Sequence, residues 1–161
     1  MVVSKQRHGR EQGFTMIELA VTVAILAVIA AIALPRFPDF VANYQLRRGV
    51  RGLVTQLNKM KVEAIRQNAR TVMLINETND TYTVFVDNNS ENWALDTAEE
   101  GVVTDLGLLG LDISSNLTSS STGFNGRGFQ ARATGGTITI STGNGNSQNV
   151  IISSVGSFRV N

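Results

Sequence analysis

From Phe14 to Leu34 the chain runs through 21 positions that are apolar except for Thr15, Glu18 and Thr22. At about 1.5 Å per residue a helix of that length spans roughly 31 Å, the thickness of a bilayer's hydrocarbon core. Pro35 and Pro38 follow, and each removes a backbone donor, which predicts a kink or local melting across Leu34 to Asp39. Beyond them a helical period runs from about Val41 to Ala69. There Val50, Leu53, Val54, Leu57, Met60 and Ala64 recur at spacings of three and four and draw one apolar stripe, which should pack on the sheet that follows. Gly49 and Gly52 each weaken this helix by about 1 kcal/mol relative to Ala. They read equally as points of close approach for another helix and as tolerated defects.

From Thr71 the pattern turns to strands. Thr71 to Asn76 and Thr81 to Asp87 are β-branched and apolar runs around Glu77-Thr78-Asn79-Asp80, a turn composition that predicts a hairpin. Further strands are expected at Thr137 to Ser141 and Val150 to Ser154, with a last one at Ser157 to Val160. The Thr-Gly-Asn-Gly-Asn-Ser run between Ser141 and Asn149 marks the turn joining two of them. Asn88 to Glu100 and Ser114 to Gly123 read as loops, because polar and turn residues dominate both. The fold class is α+β, a long N-terminal helix followed by a mostly antiparallel sheet.

Charge sets the orientation of the apolar run. Lys5, Arg7 and Arg10 precede it against one acid, Glu11, so the N-terminus stays cytoplasmic and everything after Leu34 lies outside. An ionised carboxylate among aliphatics in lipid is costly unless paired, so Glu18 calls for a dedicated cationic partner, for which a neighbouring subunit is the obvious source. A secretory signal peptide would place its cut after the apolar stretch. Here the plausible cut, Gly13-Phe14, lies before it, and processing would leave the helix attached. An ordinary single-pass anchor needs only apolar length and flanking charge, and gives no reason for the carboxylate.

With its basic leader, Gly13-Phe14-Thr15-Met16-Ile17-Glu18 and an apolar helix reaching Pro35, the chain resembles the type IV pilin and pseudopilin family. The resemblance implies that prepilin peptidase cuts between Gly13 and Phe14 and that Phe14 becomes an N-methylated N-terminus. It implies that Glu18 neutralises the N-terminal amine of the adjacent subunit during assembly; a buried cation and carboxylate relieve each other's desolvation only when paired. Pro35 matches the helix-kinking proline found in many members. The head resembles the GspH/FimT branch of minor pseudopilins and minor pilins through Lys61-Val62-Glu63-Ala64-Ile65-Arg66, Gly123-Phe124-Asn125-Gly126-Arg127-Gly128, a Gly-Thr-Ile-Thr-Ile strand and the closing Val155-Gly156-Ser157-Phe158-Arg159-Val160. The expected organisation is a leader at 1–13, a transmembrane assembly helix at 14–35, an amphipathic helix at 36–70 and a β-rich head at 71–161. Such a chain is a non-catalytic subunit that initiates or caps a filament assembled from the bacterial inner membrane, in a type II secretion system or a type IV pilus. A major pilin is an alternative. Its partners would be other pilin or pseudopilin subunits, the prepilin peptidase and the inner membrane, with the head periplasmic.

Other chemistry finds little support. The chain has no cysteine and one histidine, His8, which lies in the leader, so neither a thiolate, a Ser/His/Asp arrangement nor a zinc site of the usual ligands survives processing. No phosphate-cradling loop occurs, and no cofactor or small-molecule substrate is expected. Asp87, Asn89 and Glu91 have the alternating oxygens that open a calcium loop, but Asn92 stands where Gly is needed and Ala98 where a bidentate Glu is expected, so no metal is assigned. Charge is segregated. Residues 36–70 carry eight bases against Asp39 and Glu63, residues 71–112 carry nine acids and no base, and the tail from 113 carries only Arg127, Arg132 and Arg159. Basic stems against acidic neighbouring faces would suit stacked subunits; solvated faces and pairing within one subunit account for the pattern equally well. Arg127, Arg132 and Arg159 are also the candidates for DNA capture, as in some minor pilins that bind DNA for uptake. Three arginines supply few phosphate contacts, and the matching tail motif of those relatives has more than one arginine, whereas here Ser157 occupies a candidate position.

Overall fold

The computed structural model describes residues 13–161 except 34–36, 88–91, 98 and 133. The chain divides into two compact units, residues 1–38 and 39–161. The first is built on α1 (Met16–Ala33), which is long and apolar enough to cross a membrane and buries none of its side chains. A helix in lipid must satisfy its polar groups internally, and each polar side chain of α1 has a local partner. The Thr22 hydroxyl donates to the Leu19 carbonyl at 2.8 Å, and Thr15 and Glu18 are bonded to each other, as described below.

The second unit is organised by α2 (Phe37–Gln67). Pro38 is the second residue of this helix, in the first turn, where its missing N–H is not needed; Pro35 lies outside the described residues. The stripe expected from periodicity is the buried face. Val50, Leu53, Leu57, Met60 and Ala64 are at most 3% exposed, and Leu46 and Gly49 extend the stripe toward the N-terminus. Val54 lies beside this face, half-buried and packed against the core rather than within it. Gly49 brings the helix close to the head, since a Cβ there would sit 2.6 Å from Leu111 Cδ1, whereas one on Gly52 would meet nothing within 4 Å. The close approach is therefore to a strand, not to a second helix, and only Gly52 is a tolerated defect.

Eight strands follow among the described residues: β1 (Arg70–Asn76), β2 (Thr81–Asp87), β3 (Val102–Asp105), β4 (Leu111–Ser115), β5 (Ser121–Phe124), β6 (Gly136–Thr142), β7 (Ser147–Ile152) and β8 (Phe158–Val160). The single sheet expected from sequence is two antiparallel sheets of four strands, ordered β3-β2-β1-β5 and β4-β6-β7-β8. The β1–β2 hairpin has the expected turn, with Asn76 opposite Thr81. The β6–β7 turn falls at Gly143–Asn146, closed by Thr142 N–H donating to the Asn146 carbonyl at 2.8 Å. The expected loop Ser114–Gly123 is corrected: it holds the end of β4 and most of β5. All four residues of β5 are buried, although Ser121, Thr122 and Gly123 read as a polar turn, because β5 pairs with β1 beneath the core. One core joins the α2 stripe to both sheets, through Met73, Ile75, Tyr82 and Phe124 on one side and Leu111, Ile113, Ile138, Ile140, Val150 and Ile152 on the other.

Carboxylates from the acid-rich stretch tie the sheets together. Asp80 Oδ1 accepts from Ile113 N–H at 3.0 Å, and Glu77 Oε1 accepts from the Ser115 N–H and hydroxyl at 2.8 and 3.0 Å. Both acids sit in the β1–β2 turn and satisfy backbone donors of β4, an edge strand that would otherwise present them to solvent. Part of the acidity of residues 71–112 is thus internal wiring rather than a free face.

Candidate functional site

The N-terminus of α1 is a capping box, in which a Thr at the cap position and a Glu three residues on satisfy each other's orphan backbone donors. The Thr15 hydroxyl accepts from Glu18 N–H at 3.3 Å, and Glu18 Oε2 accepts from Thr15 N–H at 3.2 Å and from its hydroxyl at 3.1 Å. Thr15 is the residue that the sequence reading passed over, and Thr-x-x-Glu was the signal for it. Both Thr15 donors converge on Oε2, so among the described residues Glu18 Oε1 accepts no hydrogen bond and stays open to a further donor. Gly13 and Phe14 precede the cap in non-helical backbone, with Phe14 83% exposed. The Gly13-Phe14 pair, the Thr15 cap and the Glu18 carboxylate therefore stand within six residues at one helix end.

The three tail arginines occupy different elements. Arg127 is exposed in the turn after β5, and Arg159 is exposed on β8, at the edge of its sheet. Arg132 is half-buried, with its guanidinium carbon 4.1 Å from the centroid of the Trp93 ring. Arg70 approaches the same ring at 5.0 Å. Arg70 also pairs with Asp87 at 3.4 Å, and Asp87 accepts from the Trp93 N–H at 3.5 Å. This knot fixes the segment around Trp93 against β1 and β2 and explains why Asp87 is 2% exposed. Of the calcium-loop reading, Asn89, Glu91 and Ala98 lie outside the described residues. Asp87 is committed to Arg70 and the Trp93 backbone. No three His, Cys, Asp or Glu side chains converge among the described residues.

A groove of about 610 Å³ runs between α2 and strands β2 and β3, walled by Val62, Val84, Val86 and Val102. Its ionisable side chains are Lys59, Glu63 and Glu100. Hydrogen bonds from Arg66 and then Gln67 hold the Glu63 carboxyl below the usual carboxylate range, so it is a charged surface group rather than a proton carrier.

The family described as type II transport protein GspH matches residues 49–156, the C-terminal part of α2 and nearly all of the head. The prokaryotic N-terminal methylation motif matches residues 8–34, which include Gly13, Phe14 and α1. The chain is 32% identical to the pilin-like protein PilA1 of Thermus thermophilus over 92% of its own length and 97% of that protein. With fimbrial protein Q of Moraxella bovis it shares 38% identity across 44% of each chain, less than half the length of that relative. Two solved structures share its fold at 16% identity and a TM-score of 0.57: the type IV minor pilin FimU of Pseudomonas aeruginosa, over 76% of this chain and 92% of that one, and the minor pseudopilin EpsH of Vibrio cholerae, over 73% and 96%. A methylation-motif helix in front of a two-sheet head matched over most of its length leaves one assignment: the chain belongs to the GspH family of type II transport proteins.

Proposed function

We propose that this chain is a minor pilin or pseudopilin, a non-catalytic subunit that enters a filament through α1 and initiates or caps it. One observation carries the reading: α1 buries none of its apolar side chains, and its one charged side chain is a carboxylate held at its N-terminal end beside the expected cut. Cleavage between Gly13 and Phe14 creates an ammonium group one residue before the cap. In an apolar setting that cation needs a counter-charge. Glu18 Oε1 offers one to the amine of a neighbouring subunit without opening the Thr15 cap. Lys5, Arg7 and Arg10 orient the precursor with its leader in the cytoplasm and its head across the inner membrane. Prepilin peptidase and other pilin or pseudopilin subunits are the partners, and Pro35 and Pro38 fall where the membrane segment gives way to the amphipathic one. Similarity to a minor pilin and a minor pseudopilin supports the role without choosing the machine.

Mass spectrometry of the protein purified from membranes tests this. The mature chain is expected to start at N-methylated Phe14. An intact Met1, or a cut beyond Leu34, contradicts it.

A further inference from the structure

Helices that lie in a membrane interface turn aromatic and cationic side chains toward the lipid, and α2 carries such a face opposite to the one buried in the head. Phe37, Phe40 and Tyr44 are 65%, 66% and 62% exposed, and Arg47, Arg48 and Arg51 are exposed as well. At 3.6 residues per turn these six fall within an arc of about 100°, on the far side of the helix from the Leu46 to Ala64 stripe. Tyr44 and the three arginines line one depression of about 280 Å³. None of these guanidinium groups pairs with a carboxylate among the described residues; Arg47 Nε donates to the Asn43 carbonyl at 3.3 Å. Three unpaired guanidinium groups and a phenol around one shallow depression match phosphate oxygens in charge and in donor geometry.

Chain connectivity says where that phosphate is. Phe37 follows the last residue of α1, Ala33, by four positions, so its backbone stays within roughly 14 Å of the end of the membrane helix. The aromatic residues come first and the arginines after. An acidic protein face would be met by the arginines alone and would leave three large aromatic side chains in water. We propose that this face of α2 docks on anionic lipid headgroups, with Tyr44, Arg47, Arg48 and Arg51 holding lipid phosphate, so that before assembly α2 lies along the bilayer surface with the head on its outer side. The proposal rests on the reading of α1 as a membrane anchor.

The test uses the full chain. It has no cysteine, and a Cβ at Gly52, which borders the face, meets nothing within 4 Å. Gly52→Cys therefore supplies a single site for a fluorophore. Position 52 is fifteen residues beyond Phe37 along α2, about 22 Å of helix, so an upright α2 keeps the label clear of the headgroups and a flat one holds it among them. The labelled protein is reconstituted into phosphatidylcholine vesicles with or without about 30% phosphatidylglycerol, each with a headgroup-nitroxide lipid as quencher, and flotation first establishes whether the chain is anchored. Each basic side chain at an anionic surface strengthens association on the order of fivefold. Quenching should therefore be severalfold stronger with phosphatidylglycerol, be lost in R47Q/R48Q/R51Q, and fade as salt is raised to about 0.5 M. A chain that floats but is quenched equally in both lipids, or equally with and without the three arginines, overturns the lipid surface and leaves the anchor intact. Label protection that follows protein density rather than lipid charge assigns the face to a second copy and also overturns it. A chain that floats with neither vesicle overturns the anchor reading itself.

Discussion

The two helices of this chain obtain their stability from opposite places. α2 buries Leu53, Leu57 and Ala64 completely and is held by its own head. α1 buries nothing, and Leu19, Ile25, Val28 and Ile32 are 55–64% exposed around its circumference. An apolar surface of that extent does not persist in water on a monomer. One helix is thus completed within the chain, and the other is completed by lipid or by neighbouring subunits. Substitutions of the same kind in the two helices should therefore have unlike consequences for the fold.

The largest contrast is expected from truncating leucines. Leu57→Ala opens a cavity in the core and should lower the stability of the head by about 2–5 kcal/mol in chemical denaturation, while Leu26→Ala, 63% exposed on α1, should leave it within about 0.5 kcal/mol. A comparable loss at both positions would break the comparison. The two glycines of α2 sharpen it on a smaller scale. Gly49→Val forces side-chain atoms into Leu111 and should destabilise by about 1–3 kcal/mol. Gly52→Ala gains helix propensity in open space and should stabilise by up to about 1 kcal/mol. Equal effects at these sites in the same denaturation experiment would mean that α2 does not approach β4 as described.

The smallest effect is a pH dependence confined to the head. Burial pushes the Tyr82 phenol above its ordinary value, and a hydrogen bond with Thr104 opposes the shift. The unfolded chain therefore loses this proton first. Stability from Tyr82 is complete below about pH 10, the unfolded value, and declines as the pH rises toward the higher folded value. Tyr82→Phe should flatten that alkaline decline in a series of melts. An unchanged alkaline limb in the variant would assign the decline to other groups.

Much of this architecture was legible in the sequence where a local period carried it. The apolar run of α1, the stripe of α2 and the β1–β2 hairpin are all set by residues close along the chain. Reading failed where pairing is distant. β5 is built from Ser121, Thr122 and Gly123, which are turn formers locally and become a buried strand only because β1 supplies their partners. Likewise β4 is short, and its pairing with β6 splits the strands into two sheets, an outcome that no local pattern encodes. At the candidate site, Glu18 was visible as an anomaly among aliphatics, whereas its Thr15 partner went unread although the Thr-x-x-Glu spacing signals it. The stacking of Arg132 and Arg70 on Trp93 was not, because it joins three segments separated in sequence.

The central claim is that α1 is completed by neighbouring subunits, with Glu18 as the group that meets the new N-terminus. The most direct measurement compares Glu18→Val with the unaltered chain for cleavage, membrane insertion and co-purification with partner subunits in assembled filaments. The account predicts a variant that is still cut before Phe14 and still inserted, because the scissile pair and the apolar length are unchanged, but that is absent from filaments; Glu18→Asp should recover part of the incorporation. Val-variant subunits present in filaments at the level of the unaltered chain would contradict it and would leave α1 as a membrane anchor only.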